Sequence, residues 1–253
     1  MTPLSATIIT FNEERNIGRC LEALKKIADE IIILDSFSTD QTIEICNQFN
    51  VKFIQRKWEG YSSAKNYVNA LASHDFIFSV DADEVPNSEL IATILSLKKS
   101  GFSGAYRINR MTNYCGKWIK HSGWYPDRKI RLFPKNKAQW QGEFVHEELV
   151  FEERLVVSNL KGHLQHYSYY NFEEHRERAD KYSLLTAQKL HASGKKVGDM
   201  KPVLSAIGRF ISMYFLKLGF LDGRMGFKIA QISAKSNLLK YKELIRLNRN
   251  KSD

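Results

Sequence analysis

The sequence predicts an α/β fold: a mostly parallel sheet with helices on both faces and a helical extension at the C-terminal end. Three observations predict it. Four short apolar runs alternate with stretches of helical period, and only a few residues join each pair. The run "DEIIILD" shows no polar alternation, as a strand buried on both faces requires. Finally, the polar clusters Thr10 to Glu13, Asp35 to Asp40 and Asp81 to Glu84 each follow one of these runs, at the strand ends where open α/β sheets bind ligands.

The elements follow in order. "LSATIIT" is a first strand, and "IGRCLEALKKI" places Ile17, Cys20, Leu21 and Leu24 on one helical face. "DEIIILD" is a second strand, closed by "SFSTDQT", where Ser38, Thr39 or Asp40 can cap the helix "TIEICNQF". "VKFIQR" is a third strand, "YSSAKNYVNALAS" a helix with an expected Ser cap, and "FIFSVDAD" a fourth strand. After the helix "SELIATILSLKKSG" the texture changes. Residues 104–151 are rich in Tyr, Trp, Gly and Arg without long periodic runs, which predicts short strands and long loops. A polar helix is expected over 171–194. The apolar stretch "VLSAIGRFISMYFLKLGFL" follows; Arg209 and Lys217 interrupt it, so it reads as an interfacial helix and not a membrane span.

Composition sets the limits. With 253 residues, 43% of them hydrophobic and 12% aromatic, the chain can bury a substantial core. Cys20, Cys46 and Cys115 are widely spaced with no CxxC, which argues against a disulfide framework or zinc knuckle and suits a reducing cytosol. "MTPLSATIITFNEE" lacks a basic leader, so no secretory signal is expected. The formal net charge is +10, and thirteen Lys/Arg against four Asp/Glu fall from Lys195 onward. A near-neutral body with a basic tail points to an anionic partner for that tail. Its cations sit among Leu, Ile, Phe and Met, which fits a lipid surface better than nucleic acid.

Several residues carry candidate chemistry. On an extended strand Asp81 and Asp83 point the same way, so the pair can address one site and suits Mg²⁺ or Mn²⁺. The alternative is that these acids cap the helix at "NSEL". Asp35 is placed to accept hydrogen bonds from a ribose or a base. "TFNEE" is neither GxGxxG nor GxxxxGK[ST], which excludes a dinucleotide fingerprint and a P-loop. A bound nucleotide would therefore need another counter-charge, such as a metal on Asp83 assisted by Lys65.

The ordered run "ATIITFNEERNIGRCLEAL", "IIILDSFSTDQT", "AKNYVNALA", "VDADE" resembles the N-terminal half of inverting family 2 glycosyltransferases. "GWYPDRKIRLFP", "VHEEL", "LQHYSY" and "GFLDGRMGF" resemble the bacterial lipopolysaccharide-core β-glucosyltransferase-like members. The resemblance implies a GT-A fold, a nucleotide-diphosphate-sugar donor, a UDP-sugar first of all, and a divalent metal (Mn²⁺ or Mg²⁺). Its implied domains are 1–170, with a nucleotide-sugar half (1–100) and an acceptor half (101–170), and a basic helical region over 171–253. By the same resemblance Thr10, Asn12, Glu13, Asp35, Lys65, Asn66, Asp81 and Asp83 contact the donor. Asp83 and Asp81 face the metal, and His166 is a further candidate ligand. Ser36 stands where many members carry a second Asp, and Phe37 where Gly is frequent.

An inverting displacement needs one carboxylate to take the acceptor proton. Glu147 is the first candidate and Asp127 the second, ahead of Glu143 and Glu148. Arg128 and Arg131 can meet donor phosphate or pair with acids, and Trp118, Trp124 and Tyr125 can stack on sugar or fill core. His146 is as ambiguous as His166. The implied partners are a glycolipid acceptor and, through the basic C-terminal helices, the inner-membrane surface, with no nucleic acid. A cytoplasmic, peripherally bound enzyme is expected, and a homodimer is the other use for the apolar helix. A sugar-nucleotide nucleotidyltransferase would need a Gly-rich, Arg/Lys-bearing first loop, which "TFNEERN" does not supply.

Overall fold

Ile31 to Leu34 are all buried, but not in one place. Ile31 and Ile33 pack with Ile17, Leu21, Leu24 and Leu90 on one face of a sheet, and Ile32 and Leu34 pack with Ala64, Val68 and Trp140 on the other. Alternate side chains of a strand point to opposite faces, so a run without polar residues marks a strand covered twice. The computed structural model describes residues 1–142 and 147–249; Glu143 and His146 lie outside the described residues.

In chain order the elements are β1 (Ser5–Thr10), α1 (Ile17–Leu24), β2 (Glu30–Asp35), α2 (Thr42–Cys46), β3 (Lys52–Gln55), α3 (Tyr61–Ala70), β4 (Phe76–Asp81), β5 (Glu84–Pro86) and α4 (Ser88–Ser100). Then come β6 (Ala105–Tyr114), β7 (Lys117–Trp118), β8 (Asp127–Pro134), β9 (Ala138–Gln141), β10 (Glu148–Phe151), β11 (Val157–Tyr169), α5 (Phe172–Ala192), α6 (Lys201–Ile211) and α7 (Gly223–Arg249). The chain divides into two units: Met1–Arg110 with Asp127–Tyr167, and Met111–Pro126 with the chain from Ser168 onward.

The first unit holds the sheet, with strand order β3-β2-β1-β4-β8-β6-β11-β5. β3, β2, β1 and β4 are parallel. β8 runs antiparallel to β4 and β6, and β5 antiparallel to β11. A β9–β10 hairpin forms a small second sheet. The expected α/β architecture is therefore present, with its parallel half at the N-terminus. Asn87 caps α4 through its side chain, and Gly101 ends that helix at φ +95°.

The second unit packs α5 and α6 on α7, around a core of Tyr114, Ile119, Met213, Ile229 and Ala230. The outer end of β6 pairs with β7 in the same unit.

Four local expectations are corrected. The residue before α3 is Gly60 at φ +102° with no side-chain cap, so no Ser caps that helix. Within residues 104–151 the strands are not all short: β6 has 10 residues and β8 has 8, beside β7, β9 and β10 of 2, 4 and 4. The C-terminal apolar stretch is not one helix but α6, a π-helical turn over Ser212–Leu216, a 3₁₀ turn over Gly219–Asp222 and then α7. Finally, β4 ends at Asp81, and a turn at Ala82–Asp83 leads directly into β5. Asp81 and Asp83 are thus not alternate residues of one strand, and the shared orientation expected of them does not arise.

Candidate active site

The parallel strands end level. Thr10 is in register with Asp35, and Ile9 with both Leu34 and Asp81. The loops after β1 and β2 then interlock. Asn12, at φ +53°, accepts a hydrogen bond from the Thr39 N–H at 2.8 Å and donates its own N–H to Ser38 Oγ at 2.8 Å. The Glu13 N–H donates to Thr42 Oγ1 at 2.8 Å, and Glu13 accepts from Asn16 Nδ2 at 2.8 Å. Asp40 takes the Thr42 N–H at 3.0 Å, so this acid, and not Thr39, serves the first turn of α2.

Asp35 is wholly buried and receives the Ser38 N–H at 2.9 Å, the Ser38 hydroxyl and Gln55 Nε2 at 3.0 Å. It shapes its own loop. Burial, reinforced by the Asp35 charge, raises the Cys46 thiol to about 12, so it stays protonated and unreactive. Beside Asp35, Thr10 Oγ1 is buried without a hydrogen-bond partner among the described residues. Phe37 stands at φ +63° with its side chain 54% exposed. That left-handed backbone explains why glycine suits the position.

Around Asp81 the charges are tightly matched. Its Oδ2 accepts from Arg131 Nη2 at 2.6 Å, and Lys65 Nζ lies 3.2 Å from its Oδ1. Burial would raise this carboxyl, but Arg131 and Lys65 overcome it and hold Asp81 well below the usual carboxylate range. The same Arg131 nitrogen donates to Glu84 Oε1 at 2.6 Å, and Arg110 Nη1 lies 3.3 Å from that oxygen. Glu84 is completely buried, so of the three acids in "DADE" it is a structural anchor inside the sheet and not a crevice residue.

Burial opposes the charge on Arg131, yet Asp81 and Glu84 more than restore it and push its pKa above the ordinary arginine value. Arg110 is raised in the same way, by Glu84 and then Asp127, against the effect of burial. Asp127 is gripped by Arg110 through Nε at 2.8 Å and Nη2 at 2.6 Å, with Lys129 at 3.5 Å.

Lys65 connects this cluster to Glu147. Its Nζ is 3.1 Å from Glu147 Oε1 and 4.6 Å from the centre of the Trp140 ring, and the residue is only 2% exposed. No partner of the second Glu147 oxygen is present among the described residues. Asn66, the next residue on α3, uses its whole amide on β9: Nδ2 donates to the Trp140 carbonyl and Oδ1 accepts the Trp140 N–H, both at 2.8 Å. It positions the hairpin and leaves the ammonium of Lys65 as the polar head of the pair.

Asp83 faces His166. Pairing of β5 with β11 puts His166 opposite Glu84, the Tyr167 N–H donates to the Asp83 carbonyl at 2.9 Å, and His166 Nε2 then lies 3.1 Å from Asp83 Oδ2. His166 Nδ1 is buried without a partner among the described residues. Among the described residues no three His, Cys, Asp or Glu side chains are grouped to hold a metal. A Mg²⁺-type ion takes one or two carboxylates and completes its shell with substrate phosphate and water, which suits Asp83, and the imidazole beside it favours Mn²⁺ over Mg²⁺. Both Asp81 oxygens are engaged by cations, which leaves Asp83 and His166 as the open pair.

Other candidates fall elsewhere. Trp124 packs with Tyr114, Tyr169 and His175 in the second unit, as core. Trp118 and Tyr125 are half-buried in that unit, Arg128 is exposed, and Glu148 is exposed on β10. Arg110 was not foreseen. The available signal was "DADE" itself, since buried acids need buried cations and both central strands of the second half carry Arg.

Comparison with known proteins shows the family. The family model described as "Glycosyl transferase family 2" matches residues 5–151, more than half of the chain. The lipopolysaccharide core biosynthesis glycosyltransferase LpsC of Rhizobium meliloti is 31% identical over 231 residues, covering 87% of this chain and 82% of LpsC. An uncharacterized glycosyltransferase of Rickettsia typhi is 29% identical over 258 residues, covering 98% of this chain and 88% of its own. Among solved structures, S. aureus TarS (residues 1-349, in complex with UDP) overlaps 99% of this chain and 92% of its own at 15% identity and a TM-score of 0.48, a likeness too distant to carry function. With the family match and the LpsC similarity together, the chain belongs to glycosyltransferase family 2 and is a glycosyltransferase.

Proposed function

We propose that the enzyme transfers a hexosyl group, glucose being our choice, from a UDP-sugar to a lipopolysaccharide-core or related envelope glycolipid, with inversion and with a divalent metal. One observation carries the reading: Lys65 is shared between Asp81 at a strand end and Glu147, beside the Asp83–His166 pair. The similarity to LpsC supports the acceptor class. Asp35 and Thr10 lie where the nucleoside would rest. Asp83 and His166 would hold Mn²⁺ or Mg²⁺, which when bound supplies positive charge to the donor diphosphate.

In this reading Lys65 turns from Glu147 to the diphosphate and leaves Glu147 free to act. The acceptor hydroxyl oxygen bonds to the anomeric carbon, its proton passes to Glu147, and the bond from that carbon to the diphosphate breaks with its electron pair on UDP. Asp127 is the weaker base candidate, because its carboxylate is already clasped by Arg110.

The enzyme would work at the cytoplasmic face of the inner membrane. Met200, Val203, Leu204, Ile207, Ile211 and Phe215 recur at three- and four-residue spacing and are 44% to 65% exposed. Such a stripe, on a region rich in Lys and Arg, suits the headgroup layer of an anionic bilayer. Among the described residues no single helix is long and apolar enough to cross a membrane.

The deciding experiment is calorimetric titration of UDP with and without Mn²⁺, on the wild type and on Asp83→Ala. Metal-dependent binding that disappears in the variant is expected. Failure of UDP to bind in either condition would remove the nucleotide assignment and direct the search to other nucleoside diphosphates.

A further inference from the structure

The second unit contains a cavity of about 310 Å³ that plays no part in the chemistry above. Its polar wall includes Ser122, Arg209, Lys217, Ser233, Ser236 and Asn237, and among the described residues no carboxylate lines it. Among the described residues the side chains of Arg209 and Lys217 have neither an ion pair nor a hydrogen bond. Ser122 is 1% exposed, and its hydroxyl is buried with no partner among the described residues. Two such exposed cations and a buried, orphaned hydroxyl at one cavity form an environment that favours an anion.

The backbone around the cavity is held in an uncommon form. Ser122 at φ +60° and Leu218 at φ +54° are non-glycine residues in the left-handed region, and the Ser122 N–H donates to the Lys217 carbonyl at 2.9 Å. A Cβ on Gly123 would lie 2.5 Å from Lys217 Cδ, and one on Gly219 would lie 2.6 Å from the Met213 carbonyl oxygen. Met213 and its neighbours form the π-helical turn, a feature often found at functional sites. Asp222, 3% exposed, fastens the loop by accepting the Lys120 and His121 N–H groups at 3.2 and 3.0 Å and pairing with the His121 ring at 3.1 Å. Strain of this kind persists only where the surroundings over-determine it, and it clusters at ligand sites.

We propose that this cavity binds the phosphomonoester of a phosphorylated sugar. Arg209 and Lys217 supply two positive charges for a dianion, the Ser122 hydroxyl donates to a phosphate oxygen, and the volume, at the small end of ligand pockets, fits a monosaccharide-sized group. The site lies wholly in the second unit and depends on neither the donor nor the acceptor named above.

The test is calorimetry on the full chain with a hexose 6-phosphate. In parallel, sedimentation with phosphatidylcholine vesicles containing phosphatidic acid separates a soluble sugar phosphate from a lipid headgroup. Binding in either arm should fall by about tenfold or more in Arg209→Gln/Lys217→Gln, as expected for losing charge-assisted hydrogen bonds. It should survive in the charge-retaining Lys217→Arg and in the control Lys195→Gln/Lys196→Gln, two exposed lysines away from the cavity lining. The arm that responds identifies the source of the phosphate. Binding in neither arm, or binding equal in the double variant and the wild type, overturns the proposal. A circular-dichroism melt of the double variant that matches wild type ensures that lost binding is not lost folding.

Discussion

Arg131 and Glu84 form an ion pair at 2.6 Å in which the carboxylate is fully buried and the guanidinium side chain is 4% exposed. The same guanidinium holds Asp81, so one buried cation joins a structural acid to the acid at the end of β4.

Removing that cation should therefore be costly. Arg131→Met leaves Glu84 buried with the longer contact to the Arg110 cation and the Asp81 N–H at 3.1 Å, and a loss of about 3–5 kcal/mol is expected. A urea denaturation midpoint compared with wild type measures it. An unchanged midpoint would mean that Arg110 alone neutralises Glu84.

The two candidate bases are separable by kinetics. Glu147→Gln should lower kcat by about 10²–10⁴-fold while melting like wild type. Asp127→Asn should weaken the Arg110 clasp, lower stability by about 1 kcal/mol and leave most of kcat. Turnover and melting temperature measured side by side decide between them. The reverse pattern would move the base to Asp127.

Phe37 offers a gain. Its left-handed backbone costs about 1–2 kcal/mol for a side-chain-bearing residue, part of which Phe37→Gly gives back as lost unfolded-state restriction. The net expectation is a stabilisation of about 0.5 kcal/mol, a rise in Tm of about 1–2 °C. A fall in Tm would show that the half-exposed ring contributes packing.

Acid should weaken the second unit through His175. Burial, followed by the nearby Arg178, lowers its pKa from 6.5 to about 4, and the Tyr114 hydroxyl lies 2.8 Å from its Nδ1. The unfolded chain then binds a proton that the folded one refuses. Stability is full above about pH 6.5 and falls as the pH drops towards about 4, by roughly 3 kcal/mol in all. Chemical denaturation at several pH values should show this slope in wild type and a shallower one in His175→Phe. Equal slopes would assign the loss to carboxylates.

The sequence made the parallel half of the sheet legible because every strand there is covered on both faces, and "EIIILD" can hardly be anything else. Asp35, Asp81 and Asp83 could be located for a similar reason: each follows an apolar run whose end is easy to find. What escaped were features set by pairing across long chain distances. Arg131 meets Asp81, 50 residues away, only through the antiparallel register of β8 on β4. Asp83 meets His166 only because β5, three residues long, docks on β11. The alternation expected through "DADE" broke because the chain turns at Ala82–Asp83, and no local propensity marks that turn strongly. The bonds of Asn66 to the Trp140 backbone were hidden too, because an amide beside a lysine gives no hint of which backbone it will bind.

That amide has a kinetic consequence. Asn66 ties α3 to the Trp140 backbone by two hydrogen bonds, while its neighbour Lys65 reaches two carboxylates by a flexible four-carbon stem. The helix is thus a fixed post, and only the stem of Lys65, buried against the Trp140 ring, has to rotate to move its ammonium. Handing that charge from Glu147 to an arriving diphosphate then requires no backbone rearrangement of α3, and capture would be limited by encounter and by breaking the Lys65–Glu147 contact.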